Sequence, residues 1–232
     1  MKKLVLSGIL FVSALCSFAG DAAAFVDLGI SQDGKTYAFA EYGKTDRSFQ
    51  GYAEIYTVDI AKNDFVSGEV FKTNPSSATV SKSGKVVYEE LFDKAAWKLR
   101  KYDFKPANVD NLLFVRDDKK DGESEIVFKD FEASTSEKSI FYHIRLAKTL
   151  EGSGENLYSS FFITMERKDG EGNVLSRNIV GSPDIKRKKV IDYRIDRIFS
   201  DKTGRNLVFV VEKTISDVNG ASIRYMVETV SL

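Results

Sequence analysis

The chain is dominated by short segments rich in β-branched and aromatic residues, separated by turns that contain glycine. Such segments favour β-strands, and an Asn-Gly pair tolerates the positive φ angles of a tight hairpin. The predicted strands are residues 37–40, 53–60, 85–88, 140–146, 158–165, 174–180, 190–195, 206–211 and 223–230. The turn pairs are Asp33-Gly34, Ser83-Gly84, Asp169-Gly170, Thr203-Gly204 and Asn219-Gly220. The pattern predicts an all-β, antiparallel fold.

One segment has two interpretations. Leu91, Ala95, Leu99 and Tyr102 would share one face of a helix over residues 91–102. The aromatic content of the same segment also suits a strand. The internal repeat described next favours the strand.

Three segments begin alike, with a polar residue, glycine, a polar or basic residue and then an apolar run. They are residues 33–39, 83–88 and 203–209, and residues 136–142 are a weaker match without the glycine. The equivalent positions Gly34, Gly84, Glu137 and Gly204 are separated by 50, 53 and 67 residues. Each unit continues into a second strand that ends in a hydrophobic–acidic pair: Val58-Asp59, Tyr102-Asp103, Met165-Glu166 and Val227-Glu228. Recurrence at several matching offsets indicates a repeat architecture.

The Ser-x-Asp-Gly-Lys opener at residues 31–35 resembles the blade motif of TolB-type, WD40-like β-propellers. The resemblance implies about four blade-like units near residues 25–66, 76–110, 130–180 and 190–232, with a β-sandwich or barrel as the alternative. It also implies positive φ at the three opener glycines, followed by strands that pair within their own units. At Glu137 the turn should be of another type or carry mild strain.

A second resemblance rests on the run Phe25-Val26-Asp27-Leu28-Gly29 and on residues 52–66. These segments are similar to a bacterial family of predicted secreted proteins of unknown function, domain of unknown function 2259. The resemblance implies export and a mature chain that starts near Asp21. It implies no activity and no site residues.

The N-terminus has the features of a signal peptide. Lys2 and Lys3 precede an uncharged, mostly apolar run over residues 4–18, which is too short to span a bilayer. Small residues follow, so cleavage after Ala19 is preferred and cleavage after Ala24 is the alternative. We therefore expect a signal peptide at residues 1–20 and one periplasmic domain at residues 21–232, without a transmembrane segment.

Composition limits the function of the mature chain. Removal of the first twenty residues also removes the only cysteine and leaves 32 basic and 34 acidic residues, a net charge of −2. This balance gives no global attraction to nucleic acid, and a chain without cysteine has no disulfide framework. No nucleic-acid partner is expected.

No catalytic, cofactor-binding or metal-binding residues are predicted. His143 is the only histidine, and its apolar surroundings favour a packed strand residue over a catalytic one. Residues 117–123 resemble a calcium loop, but Lys119 and Phe128 occupy two of the positions that need oxygen ligands, so a solvated turn is preferred. The basic run at residues 186–189 is interpreted as a charged edge that protects a strand.

Two functions remain open. The first is a binding or scaffold module of the cell envelope, whose partner is another envelope or periplasmic protein. The alternative is a carboxylate-dependent hydrolase that acts on envelope glycan. The hydrolase requires two acidic side chains that face each other across a pocket, one of them with a strongly raised pKa.

Overall fold

A computed structural model describes residues 19–117, 125–217 and 220–232. The strands are β1 Ala19–Ala22, β2 Ala24–Ile30, β3 Thr36–Lys44, β4 Gly51–Asp59, β5 Asp64–Thr73, β6 Leu112–Val115, β7 Ile126–Lys129, β8 Ile140–Glu151, β9 Tyr158–Asp169, β10 Val174–Lys188, β11 Val190–Ser200, β12 Asn206–Asp217 and β13 Gly220–Ser231. The α-helix, α1, spans Gly84–Leu99. Short 3₁₀ turns lie at Ser77–Thr79, Arg100–Tyr102, Val109–Asn111 and Gly154–Asn156.

The strands form three sheets. One has the order β2-β3-β4-β5, the second β1-β13-β12-β11-β6, and the third β10-β9-β8-β7. All pairs between neighbouring strands are antiparallel except β1 with β13, which is parallel. The expected mostly β, antiparallel class is confirmed, while the described residues do not show a propeller.

The β1-β13-β12-β11-β6 sheet lies between the other two. Leu207 and Phe209 of β12 pack against the β7–β10 sheet, whereas Val208 and Val210 face the β2–β5 sheet. Because side chains alternate between the two faces of a strand, only a strand covered on both sides is apolar at consecutive positions. The continuous apolar run Leu-Val-Phe-Val in β12 therefore reflects its position in the central layer.

Helix α1 covers the outer face of the β2–β5 sheet. Its buried stripe contains Val87, Leu91, Ala95 and Leu99, which recur every fourth residue. The facing sheet residues include the fully buried Ala40 and Ala53, whose small side chains let the helix approach closely. The order of layers is therefore helix, sheet, central sheet and outer sheet.

The second of the four expected units is wrong, because the predicted strands at residues 85–88 and 91–102 are not formed. Ser83 caps the helix instead, since its hydroxyl accepts a hydrogen bond from the Val86 amide at 3.2 Å. Gly84 has no positive φ; a Cβ there would lie 2.7 Å from the carbonyl oxygen of Gly43. This glycine serves close helix–strand packing and not a turn.

The other openers behave as expected. Gly34 and Gly204 have φ angles of 73° and 65°, and their following strands, β3 and β12, pair with neighbours in the same unit. Glu137 has no positive φ, so its turn differs from theirs. The eight remaining predicted strands overlap observed strands.

The outer edge of β13 is covered by three different groups. Backbone pairing with β1 covers its first residues. Farther along, the Tyr225 amide donates to the Glu41 carboxylate at 2.6 Å, and the Thr229 amide donates to Asn63 Oδ1 at 2.6 Å. The Asp21 carboxylate of β1 holds Arg224 with contacts of 2.6 and 3.0 Å. These contacts leave little of the edge open to another strand.

The basic run at residues 186–189 begins on β10, which is an edge strand of its sheet, as expected. Lys186 and Lys189 form ion pairs with Glu151 and Glu155, and Arg187 lies 3.6 Å from Glu228. The run therefore ties the edge to neighbouring segments.

Candidate functional site

A cavity of about 830 Å³ opens at one end of the stacked sheets. Its lining comes from the turns between β2 and β3 and between β11 and β12, from the start of the β4–β5 hairpin, from residues 103–111 and from the last two residues. A cavity of this size matches the volumes of small-ligand sites in proteins. It is the larger of the two described concavities.

Two of the walls are the turns whose glycines were predicted from the sequence, and their backbone hydrogen bonds match. In the first turn the Ser31 amide donates to the Thr36 carbonyl at 2.8 Å. In the second the Asp201 amide donates to the Asn206 carbonyl at 3.0 Å. In each turn the amide of the glycine also donates a hydrogen bond to the carbonyl three residues earlier. The distances are 2.9 Å from Gly34 N to Ser31 O and 3.1 Å from Gly204 N to Asp201 O.

The two turns also contact each other. The Asn206 side-chain amide donates to the Gly34 carbonyl at 3.1 Å and to Asp201 Oδ2 at 2.9 Å. Asn206 therefore links the first turn to the second across the base of the cavity. This link joins the β2–β5 sheet to the central sheet at the site itself.

The third wall of the cavity is the segment of residues 103–111, which β2 holds in place. Ile30 and Lys105 exchange two backbone hydrogen bonds of 3.1 and 3.2 Å. At Gly29, which has a φ of 103°, a Cβ would lie 1.8 Å from the Lys105 carbonyl oxygen. The neighbouring carboxylate of Asp27 accepts a hydrogen bond from the Ala107 amide at 2.7 Å. Only glycine fits at position 29 with the wall in this place.

Behind this wall the Asp27 carboxyl and the Tyr37 hydroxyl are buried beside each other, and the interaction of each group with the other contributes to both pKa shifts. Tyr37 lines the cavity and is 1% exposed. Burial raises the pKa of the Asp27 carboxyl above its usual range, and the Ala107 amide opposes the increase. Burial, reinforced by the Asp27 charge, raises the pKa of Tyr37 well above its usual value. Buried titratable groups with shifted pKa values beside a cavity are typical of functional sites.

The acidic groups of the rim are occupied within their own turns. Asp33 Oδ1 accepts from the Ser31 hydroxyl at 2.7 Å and from the Lys35 amide at 3.1 Å, and these bonds lower its pKa. Asp103 pairs with Lys105 at 2.7 Å. Asp201 accepts hydrogen bonds from its own turn, including the Thr203 hydroxyl at 2.9 Å. These carboxylates shape the loops.

Glycosidase chemistry requires two facing acidic side chains, one of them with a raised pKa. Among the described residues, the acidic side chains that line the cavity are those of Asp33, Asp103 and Asp201, and the pKa of Asp33 is lowered. Asp27 does have a raised pKa, but it stands behind the wall and bonds to the backbone. The rim acids are thus engaged in loop contacts, and the raised pKa belongs to Asp27, which is not among the lining residues.

His143 lies on a strand, as expected, but not in the core. Its neighbours Tyr142 and Ile144 are buried, whereas His143 is on the opposite, outer face of the β7–β10 sheet. Its Nδ1 is 3.2 Å from a Glu125 oxygen, and Arg145 contacts the same carboxylate at 3.1 Å. The shallow depression around these residues has a volume of about 310 Å³.

Most of the acidic stretch at residues 117–123 lies outside the described residues. In the described ranges, no cluster of three or more potential ligand residues is placed to hold a metal ion. Asn219 of the predicted Asn-Gly turn also lies outside these ranges.

A family model matches residues 38–231, and its description is "Predicted secreted protein (DUF2259)". The chain belongs to the DUF2259 family. The second resemblance found in the sequence is thereby confirmed, and the family description supports export of this DUF2259 protein. No curated protein and no solved structure matches it. In the part of the DUF2259 chain that is described, no helix is long and apolar enough to cross a membrane.

Proposed function

We propose that the mature chain is a non-catalytic binding module of the periplasm, which holds a segment of another envelope protein in the cavity between the two glycine turns. The observation that carries this proposal is the cavity itself. Its walls come from two different sheets and from the segment tied down by Asp27 and Gly29. Rigid scaffolds that present convergent loops are the usual basis of binding sites.

The location and ancestry of the module belong to the same proposal. The apolar N-terminal run and the secreted-family membership support export, with the periplasm as destination. The matching hydrogen bonds of the turns at Gly34 and Gly204 support a common, blade-like origin of the first and last units. A periplasmic fraction should contain a chain that begins between Gly20 and Phe25.

Site-specific photo-crosslinking in intact cells tests the binding proposal. A benzophenone amino acid is placed at Thr203, an exposed residue on the rim, or at Lys94, an exposed residue of α1 on another face. We expect irradiation to give a discrete crosslinked species from position 203, because the partner segment lies against that turn. Position 94 should give none.

A crosslink from both positions in equal yield, or from neither, would reject the cavity as the binding site. Mass spectrometry of the species from position 203 also decides the class of partner. Peptides from one envelope protein support the proposal. A crosslinked glycan fragment that is shortened during incubation would instead support the alternative function, a hydrolase that acts on envelope glycan.

A further inference from the structure

We infer that the segment bound in the cavity carries acidic residues beside one or more apolar side chains. The inference rests on the proposed function and specifies the chemistry of the partner. It follows from three features of the cavity: unpaired cations on the rim, rim acids that are already hydrogen bonded, and apolar walls inside.

The rim cations are Lys35, Lys202 and Arg205, which are exposed and line the cavity. Among residues whose placement is described, none of the three side chains forms an ion pair or a hydrogen bond. Lys105, which also lines the cavity, is by contrast paired with Asp103 at 2.7 Å. Unpaired cations beside a concave site attract anionic groups and steer them toward it.

The charged side chains of the lining are four cations, Lys35, Lys105, Lys202 and Arg205, and three acids, Asp33, Asp103 and Asp201. Asp33 and Asp201 direct their oxygens at amides and hydroxyls of their own turns. Lys202 and Arg205 are therefore available to a carboxylate that enters from outside. Arg205 can hold a carboxylate through two parallel hydrogen bonds, which Lys cannot do.

The interior of the cavity is apolar. Ile30, Ile60, Pro106 and Phe199 line it together with the ring-bearing residue Tyr37. An apolar side chain that enters is removed from water and gains the free energy of that burial. Polar side chains also line the cavity, among them those of Gln32, Asn111 and Ser200, and they suit a polypeptide with its own amides better than an alkyl chain.

A matched pair of fluorescent probes tests the required chemistry on the purified mature protein. Anilinonaphthalene sulfonate and N-phenylnaphthylamine share an aromatic body, and only the first carries an anion. Substitution of both Lys202→Glu and Arg205→Glu should weaken binding of the sulfonate probe by at least about fivefold and leave the neutral probe within about twofold. Lys94→Glu, on an exposed face of α1, is the matched control and should change neither.

Equal sulfonate affinity in the wild type and the double variant would overturn the inference. Circular dichroism spectra of the three proteins confirm that the charge reversals leave the fold intact. The crosslink from Thr203 is independent of this result, so a failure here leaves the proposed function standing, and a missing crosslink rejects the proposed function itself.

Displacement of the bound sulfonate probe identifies the class of occupant. The acetylated, amidated hexapeptide Asp-Glu-Phe-Ile-Glu-Asp should displace it, whereas Lys-Lys-Phe-Ile-Lys-Lys should not. Displacement by dodecanoate but not by the acidic peptide would overturn the protein segment in favour of a lipid anion.

Discussion

Gly29 determines where the third wall of the cavity stands. Its positive φ lets β2 turn toward residue 105, and its missing side chain leaves room for the Lys105 carbonyl. The two backbone hydrogen bonds between Ile30 and Lys105 form only at this close approach. The absence of a side chain at Gly29 therefore allows the close approach of β2 to residue 105, which is more than seventy residues away in sequence.

Replacement of Gly29 by Ala should lower the free energy of unfolding by about 2–4 kcal/mol, because the added Cβ meets a backbone carbonyl at a φ that alanine already disfavours. Gly172 is the matched control. Its φ is 88°, but a Cβ there would have no neighbour within 4 Å. Gly172→Ala should lower the free energy of unfolding by only about 1 kcal/mol, which is the cost of placing alanine at a positive φ. Urea denaturation measures both, and equal losses would show that the wall imposes no packing constraint at position 29.

Asp27 should make stability depend on pH. Its pKa is raised in the folded protein because the carboxyl is buried, so the folded state binds the proton more tightly than the unfolded state does. The resulting stabilisation is fully present below the unfolded pKa and is lost as the pH rises through the folded pKa. Asp27→Asn removes this titration and can still accept from the Ala107 amide.

We therefore expect the stability of Asp27→Asn relative to the wild type to increase between pH 3 and pH 7. Burial also raises the pKa of Glu41 and Glu228, but these acids titrate in both proteins and cancel in the difference. Urea midpoints at several pH values provide the measurement. A difference that is independent of pH would contradict a raised pKa at Asp27.

At the scale of elements, one short motif has two structural outcomes. Ser-Gly-Lys-Val-Val-Tyr at residues 83–88 begins α1, whereas Thr-Gly-Arg-Asn-Leu-Val at residues 203–208 closes a turn and begins β12. Serine is a good helix cap as well as a good turn residue, because in both its hydroxyl accepts from a backbone amide. The decision is made by the buried stripe that follows, which recurs every fourth residue in α1.

Gly84→Ala separates intrinsic helix propensity from packing. Helix propensity alone predicts that the substitution raises the free energy of unfolding by up to about 1 kcal/mol, since alanine is the better helix former. The Cβ would lie 2.7 Å from Gly43 O, within a backbone that cannot move without disturbing β3. We therefore expect a net loss of about 1–2 kcal/mol in the free energy of unfolding. A more stable variant would show that α1 does not pack closely on β3.

The element pattern could be read from the sequence where local chemistry decides it. Alternating or continuous apolar runs predicted eight of the strands, and the opener motif predicted positive φ at Gly34 and Gly204. Residues 83–102 could not be assigned this way, because their two valines and several aromatic residues suit a strand as well as a helix. Tertiary contact with the β2–β5 sheet determines the outcome there.

Strand β1 distinguishes the two expected cleavage sites. Cleavage after Ala19 preserves most of β1 and the contact of Asp21 with Arg224, whereas cleavage after Ala24 removes both. Arg224 would then lose its ion-pair partner. A chain that begins at Phe25 should be less stable than one that begins at Gly20 by about 3–5 kcal/mol. Equal urea midpoints would show that β1 contributes nothing.

For the whole molecule, the stacking of the layers produces the site. The residues of the cavity come from segments near positions 30, 60, 105 and 200, and no local pattern connects them. The sequence contained both glycine turns but not their contact through Asn206 and Gly34, nor the approach of Lys105 to Gly29. Long-range packing brings these groups together, so the candidate site had no signature in the sequence.

If the partner segment binds in the cavity, filling the cavity should abolish partner binding. Ala61 lines the cavity and is exposed, so Ala61→Trp can occupy the space without entering the core. Combined with the photo-crosslinker at Thr203, this substitution should reduce the crosslink by at least about tenfold, because the partner segment and the indole compete for one volume. The matched Lys94→Trp variant should keep the full yield. An undiminished crosslink with tryptophan at position 61 would contradict binding in the cavity.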